Sequence, residues 1–281
     1  MTMRELIRKD GAVMVGGAHN AISARLVERA RFDAIWLSSL GVSIAERALP
    51  DANLITLTEM LNVARNMVAS VDIPVIADCE NGYGDINNTI HAVREFERAG
   101  ISAVCVDDNR YPKRCSLFDH VDRQLISASE MVSKIKAGKD VRRSEDFLFI
   151  ARTEAIIAGC GISECVERSS AYLEAGADML VIHSKTWKHL LQMLDGWKAP
   201  DCLVVIPTLF PEINVQQLRS AGFKMIIYAN QAIRASLKAM EEVLTKLRHA
   251  DCPADVESEI LTLDRIHELV RFEDVLGSGK H

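Results

Sequence analysis

Glu97-Arg98-Ala99-Gly100-Ile101-Ser102, followed by Ala103-Val104-Cys105-Val106-Asp107-Asp108, reads as a helix end, a turn and a short apolar run that closes on two carboxylates. The glycine stands where a helix needs a left-handed C-cap. The run after it is apolar throughout, which suits a parallel strand covered on both faces. The phrase recurs. Leu173-Glu174-Ala175-Gly176-Ala177-Asp178 leads into Met179-Leu180-Val181-Ile182-His183-Ser184, and Arg219-Ser220-Ala221-Gly222-Phe223-Lys224 leads into Met225-Ile226-Ile227-Tyr228-Ala229-Asn230. Without the glycine, Glu28-Arg29-Ala30-Arg31-Phe32-Asp33 leads into Ala34-Ile35-Trp36-Leu37-Ser38-Ser39. Runs at 13–18, 74–78, 147–151 and 203–207 raise the predicted strands to eight. Helical-period segments near 22–31, 58–71, 88–99, 129–137, 164–175, 186–194, 215–221 and 232–248 separate them. Eight strands alternating with helices predict an α/β fold, a (β/α)8 TIM barrel, with an open doubly wound sheet as the alternative.

The length agrees with one domain. Eight units of about thirty residues use about 250 of the 281. The chain therefore reads as a single barrel over 1–281, with 251–281 a C-terminal helical arm, helical at 260–271, that is a candidate for packing on a neighbouring subunit. Hydrophobic residues make up 48% and charged residues 26%, which is globular composition. A formal net charge of −6 argues against nucleic-acid or anionic-membrane partners, whose phosphates need a basic face. No stretch approaches the roughly 18–20 apolar residues of a membrane span, and the start is charged. The seven cysteines, at 79, 105, 115, 160, 165, 202 and 252, lack metal-type spacing and predict a reduced, cytoplasmic protein.

Each predicted strand ends in something polar or small: His19-Asn20, Ser38-Ser39, Asp78-Cys79-Glu80, Asp107-Asp108, Arg152-Thr153-Glu154, His183-Ser184-Lys185, Pro207-Thr208 and Asn230. In a barrel these ends share one face, where such enzymes place their chemistry. Asp78, Glu80, Asp107 and Asp108 come from neighbouring strands, and a cluster of that charge needs a cation or protons. Hard oxygen donors select Mg²⁺ or Mn²⁺ over zinc. Arg152, opposite them, suits a carboxylate or phosphoryl group. The plainer readings are a solvated acidic rim and an Arg152–Glu154 salt bridge. After the fourth strand the chain runs from Asn109 to about Ile126 before the next helix, long enough for an active-site lid, and this stretch carries Lys113, Arg114, Cys115, Ser116 and His120.

Together these residues resemble the phosphoenolpyruvate mutase/isocitrate lyase superfamily over nearly the whole chain. The resemblance is carried by Gly17-Ala18-His19-Asn20, Pro50-Asp51-Ala52-Asn53, Asp78-Cys79-Glu80-Asn81-Gly82-Tyr83-Gly84, Pro112-Lys113-Arg114-Cys115-Ser116 and Ala151-Arg152-Thr153-Glu154-Ala155. His183-Ser184-Lys185 and Tyr228-Ala229-Asn230 extend it. It implies a barrel whose last helix is swapped between subunits, in a homodimer or homotetramer. It implies Mg²⁺ held by Asp78, with Glu80 and Asp107 in the outer shell. The substrate it implies is a small anionic α-keto acid, its carboxylate on backbone amides near Ser38, Ser39 and Leu40. By the same resemblance Arg152 and His183 hold the phosphonyl or equivalent end, Trp36 walls the pocket and Asp51 lies by the reacting group. Lys113, Cys115 and Ser116 reach in from the lid.

The chain departs from the superfamily pattern in three places. The third-strand motif usually reads Asp-x-Asp-Thr-Gly-Tyr-Gly, and Glu80 and Asn81 replace its second Asp and the Thr. Asp107 stands where glutamate is usual. In the lid, Lys113-Arg114-Cys115 looks like the carbon–carbon lyases, whose cysteine does acid/base work, while Ser116 looks like the mutases. His183-Ser184-Lys185 stands where lyases generally carry glutamate. The expected activity is therefore that of the mutase branch, interconverting phosphoenolpyruvate and phosphonopyruvate. The alternatives are phosphonopyruvate hydrolysis, carbon–carbon cleavage of a 2-hydroxy or 2-oxo dicarboxylate, and a non-catalytic binding barrel.

Overall fold

The computed structural model describes residues 1–115, 123–197, 199 and 201–272. Eight parallel strands close into a barrel in chain order: β1 Val13–Ala18, β2 Ala34–Leu37, β3 Val75–Asp78, β4 Ala103–Asp107, β5 Leu148–Thr153, β6 Met179–Ile182, β7 Leu203–Val205 and β8 Phe223–Tyr228. β8 returns to β1, with Val13 beside Met225 and Gly16 beside Tyr228. All eight predicted runs are strands, and the open sheet is excluded. The helix ends behave as their sequence requires. Gly100, Gly176 and Gly222 have φ of 85°, 103° and 95°, and in the phrase without glycine Arg31 takes the same left-handed turn at 66°.

Strand side chains alternate between two cores. Val13, Val15, Ala34, Trp36, Ile76, Ala103, Cys105, Leu148, Ile150, Met179 and Val181 fill the barrel. Their neighbours Ile35, Leu37, Ala77, Val104, Val106, Phe149, Leu180 and Ile182 pack outward under the helices. Continuing the inward parity past each strand end reaches Ser38, Asp78, Glu80, Asp107, Arg152, Glu154 and His183. Period two therefore supplies the strand-borne part of the barrel mouth.

Among the described residues the helices are α1 Met3–Arg8, α2 Ala21–Arg29, α3 Ser39–Arg47, α4 Leu57–Val68, α5 Ile86–Arg98, α6 Ala128–Val141, α7 Gly161–Glu174, α8 Trp187–Leu194, α9 Val215–Ser220, α10 Gln231–His249 and α11 Leu263–Leu269. Two of them escaped the sequence reading. The first, α1 at Met3–Arg8, sends Met3 and Leu6 into the barrel interior, while Arg4 bonds the Glu145 carbonyl and the Asp178 carboxylate at the strand starts. It plugs the end away from the polar strand termini. The other, α3 at Ser39–Arg47, begins where the β2 run stops, with Ser38 as its N-cap accepting from the Gly41 amide. The lid leads into α6 at Ala128–Val141, and the arm follows the long helix α10 at Gln231–His249. The predicted arm helix is shorter than expected, α11 at Leu263–Leu269, and folds back on α2 at Ala21–Arg29 through a bond from Arg25 to the Leu269 carbonyl. No helix among the described residues is long and apolar enough to cross a membrane.

Candidate active site

At the C-terminal mouth lies a small cavity of about 50 Å³, lined by Trp36, Ser38, Leu40, Asp51, Asp78, Arg152, His183 and Ile206. Lys113 and Cys115 close it from the lid side. The ends of β2, β3, β5, β6, β7 and β8 thus meet around one cavity. Cys115 is buried at 7% exposure, and Ser116 and His120 lie outside the described residues.

The lid is docked through its lysine. Lys113 Nζ lies 2.8 Å from Asp51 Oδ1 and pairs with Glu80, with Ser39 Oγ at 3.4 Å. Burial alone would lower the ammonium, but the Asp51 and Glu80 carboxylates outweigh it and hold Lys113 well above its ordinary value. Ser39 Oγ also donates to Asp78 Oδ2 at 2.8 Å. The lid's two arms pair at its base: Asn109 bridges Leu125, the Arg110 amide donates to the Gln124 carbonyl at 2.8 Å, and the Ile126 amide donates to the Asp108 carbonyl at 3.0 Å.

At the same mouth Arg152, Glu154 and His183 form a triangle. Arg152 Nε donates to Glu154 Oε1 at 2.5 Å, His183 Nδ1 lies 2.7 Å from the same oxygen, and Arg152 Nη2 is 2.6 Å from Nδ1. Burial pushes Glu154 up, yet Arg152 and His183 together bring it down to about 2. Burial, and then Arg152, lower His183, so its ring is neutral near pH 7. The plainer reading of Arg152 as a salt-bridge partner of Glu154 is therefore correct, and the same guanidinium still lines the cavity. Glu154 ended a predicted strand but was given no role; its inward parity was the available signal.

One expectation fails. Asp108 does not belong to the acidic cluster. It has the outward parity, so it lies behind the barrel, accepting from Tyr172 Oη at 2.8 Å, Thr153 Oγ1 at 3.0 Å, the Glu154 amide at 2.8 Å and Arg168 at 3.3 Å. Arg168 also donates to the Ile126 carbonyl at 2.9 Å, at the base of the lid. The pair secures the lid's C-terminal arm and the backbone of Glu154 without touching the cavity.

Thr208 and Asn230, two of the polar strand ends, also line the cavity, while sequence reasoning gave no role to Asn53, which accepts from the Lys113 amide, or to Lys134, whose buried ammonium donates to the Asn81 and Gly84 carbonyls at 2.8 and 2.7 Å. The helix N-terminus at Ser39 gives the expected backbone amides a physical basis. The first N–H groups of a helix have no partner within it and attract anions.

The remaining carboxylates fit a hard cation. Asp107 is 2% exposed, its carboxylate accepts from the Asn109 amide at 3.1 Å, and burial raises it to about 6. Such a group needs a cation or a proton. Among the described residues no three Asp, Glu, His or Cys side chains form a ready cage. Mg²⁺ does not need one, since it keeps several waters and takes one or two carboxylates.

The chain that builds this site is similar to known proteins over nearly its whole length. A family model described as phosphoenolpyruvate phosphomutase matches residues 3–248. The chain belongs to that family. A phosphoenolpyruvate phosphomutase from Streptomyces platensis subsp. rosaceus superposes with a TM-score of 0.95 at 40% identity, over 99% of this chain and 97% of that one. A phosphonopyruvate hydrolase in complex with oxalate and Mg²⁺ superposes with a TM-score of 0.90 at 34% identity, over 98% and 97%. The 2,3-dimethylmalate lyase of Eubacterium barkeri is 34% identical over 277 residues, 97% of this chain and 94% of its own. The phosphoenolpyruvate phosphomutase family and its superfamily thus share this barrel across three reactions, and the chain is an enzyme of that superfamily.

Proposed function

We propose that the protein is a phosphoenolpyruvate mutase acting on a small α-keto acid. The observation that carries the reading is His183, held against Arg152 and Glu154 where lyases of the superfamily generally carry glutamate. A neutral imidazole beside a guanidinium accommodates a phosphonate dianion, whereas a carboxylate there would repel it.

In this reading the C–P bond of phosphonopyruvate breaks with its electrons left on the pyruvate enolate, and a P–O bond forms at the enolate oxygen. Asp78 would hold Mg²⁺, with Mn²⁺ an alternative, and Glu80 and Asp107 would serve in its outer shell. The metal supplies Lewis-acid stabilisation where enolate charge develops. The amides of Ser39 and Leu40 hold the substrate carboxylate, with Ser38 at the helix cap. Arg152 and His183 hold the phosphoryl group in flight, Trp36 walls the pocket, and Asp51 with Lys113 borders the reacting centre. Cys115 and Ser116 complete the lid over the site, excluding the water that would convert transfer into hydrolysis. The enzyme works in the cytoplasm as a homodimer or homotetramer that exchanges its last helix, as one barrel with the arm 251–281.

Phosphorus NMR of the protein with phosphonopyruvate and Mg²⁺ tests this. Phosphoenolpyruvate is the expected product. Free phosphate makes the protein a hydrolase, and an unchanged spectrum moves the assignment to a lyase. Cys115→Ser is expected to keep mutase activity; a cysteine-dependent lyase would lose its turnover.

A further inference from the structure

The lid segment meets the barrel at a second point besides the Lys113 side chain. The backbone amide of Lys113 donates to Asn53 Oδ1 at 2.5 Å, and Asn81 Nδ2 donates to the same oxygen at 3.2 Å. Asn81 is wholly buried, and its own carbonyl is gripped by the Lys134 ammonium at 2.8 Å. The chain of contacts therefore runs from α6 through the β3 loop and the β2 loop to the lid backbone.

The orientation of the Asn53 amide is fixed by its neighbours. Two N–H donors converge on one oxygen, so the flipped amide would set donor against donor. Asn53 Nδ2 and Asn81 Oδ1 are buried without a hydrogen-bond partner among the described residues, so the joint carries unmet polar cost as well as the two bonds. Backbone strain collects at the same place. Asn53 and Glu80 both sit in the left-handed region, at φ 56° and 54°. Asn81 is one of the residues that departs from the superfamily pattern, and a threonine there has no amide to offer.

We propose that Asn53, seated by Asn81, is the positioning residue that docks the Lys113 segment, and that this joint sets how the reaction divides between phosphoryl transfer and hydrolysis. The second half rests on the mutase reading of the site; the first does not. The docked backbone amide fixes where the Lys113 side chain enters, so that its ammonium reaches Asp51 and Glu80 together and Cys115 stays buried beside it. Loosening the amide leaves the lysine tethered by its flexible stem alone and admits water to the cavity.

The test uses Asn53→Gly, which accepts the left-handed φ but removes the oxygen, and Asn53→Asp, which tolerates the same φ and keeps an acceptor for both donors. The first readout is iodoacetamide labelling of Cys115 in the presence of Mg²⁺ and oxalate, resolved by peptide mass spectrometry, with exposed Cys160 as the internal standard. The second is the ratio of free phosphate to phosphoenolpyruvate formed from phosphonopyruvate. Asn53→Gly is expected to label at Cys115 about tenfold faster, the effect of losing one strong buried hydrogen bond, and to release several times more phosphate. Asn53→Asp should stay near wild type in both. Wild-type labelling in Asn53→Gly, or equal labelling in the two variants, overturns the proposal. If Asn53→Gly does not fold, Asn81→Thr removes one of the two donors and should label at an intermediate rate; unchanged labelling there overturns it too. A wild-type protein that makes no phosphoenolpyruvate defeats the mutase reading, while the labelling still decides the docking.

Discussion

Lys113 Nζ lies 2.8 Å from Asp51 Oδ1, with Glu80 pairing to the same ammonium, and all three side chains are buried. Breaking a buried pair leaves an uncompensated charge, which costs about 3–5 kcal/mol when nothing relaxes. Here one cation faces two carboxylates, so Lys113→Met is expected to lose stability on that scale and to lower kcat by about 10²–10³-fold, as for a removed electrostatic stabiliser. Lys113→Arg should not rescue the rate, because a planar fork cannot replace a compact ammonium between two carboxylates. Chemical denaturation and steady-state kinetics check both. A Lys113→Met protein with wild-type kcat would remove the lysine from the site.

Asp107 gives a pH dependence with a definite sign. Burial lifts its carboxyl from 3.8 to about 6, so folding favours the protonated form. Its stabilising contribution is present below about pH 4 and is lost as pH rises through 6. A divalent cation needs the charged form, so Mg²⁺ should bind more tightly as pH rises towards 6 and level off above it. Calorimetric titration of Mg²⁺ from pH 5 to 8 is the measurement. Asp107→Asn should flatten the profile, whereas Asp78→Asn should abolish binding at every pH. A flat wild-type profile would take Asp107 out of the cation's surroundings.

Glu154 runs the other way. Its pKa falls from 4.5 to about 2 because Arg152 and His183 outweigh its burial, so its contribution is present above pH 4.5 and is lost as pH falls through 2. A fall from 4.5 to about 2 is worth on the order of 3 kcal/mol. Glu154→Gln is expected to be less stable at pH 7 and to lose the wild type's steep decline between pH 4.5 and 2. It should also weaken turnover, since Arg152 and His183 lose the oxygen that holds them together. Urea midpoints across pH 2–7 test the first claim; parallel slopes for variant and wild type would contradict it.

Much of this was legible in the sequence, and the misses have physical causes. Short apolar runs, four of them behind helix ends, located all eight strands because a parallel strand covered on both faces is apolar throughout. They could not locate α3, since Ser38-Ser39 looks the same whether it ends a strand or caps a helix. Asp107 and Asp108 looked equivalent as neighbours, yet period two sends one into the barrel and the other to Arg168 and Tyr172. That parity was readable and would have separated them. Asn53 and Lys134 were not readable, because their roles are hydrogen bonds to backbone atoms of distant segments.

The long helix α10 carries the last prediction. Leu237, Met240, Leu244 and Leu247 recur at three- and four-residue intervals along Gln231–His249, and they are 42%, 50%, 63% and 40% exposed. Ile233, the helix's buried residue, lies on the same face, so the exposed stripe continues that face beyond the stretch that the chain's own core covers. A contiguous stripe of this kind marks an interaction face, and the helix exchange proposed above would cover it with the corresponding face of a second copy. The Met240→Glu/Leu244→Glu double variant is therefore expected to sediment as a monomer while the wild type sediments as a dimer or tetramer. Its circular dichroism should be retained, because the stripe contributes little to the barrel core. Mg²⁺-dependent oxalate binding should persist as well, since the cavity is assembled from the strand ends and lid of one chain. A double variant that sediments with the wild type would place the subunit contact elsewhere.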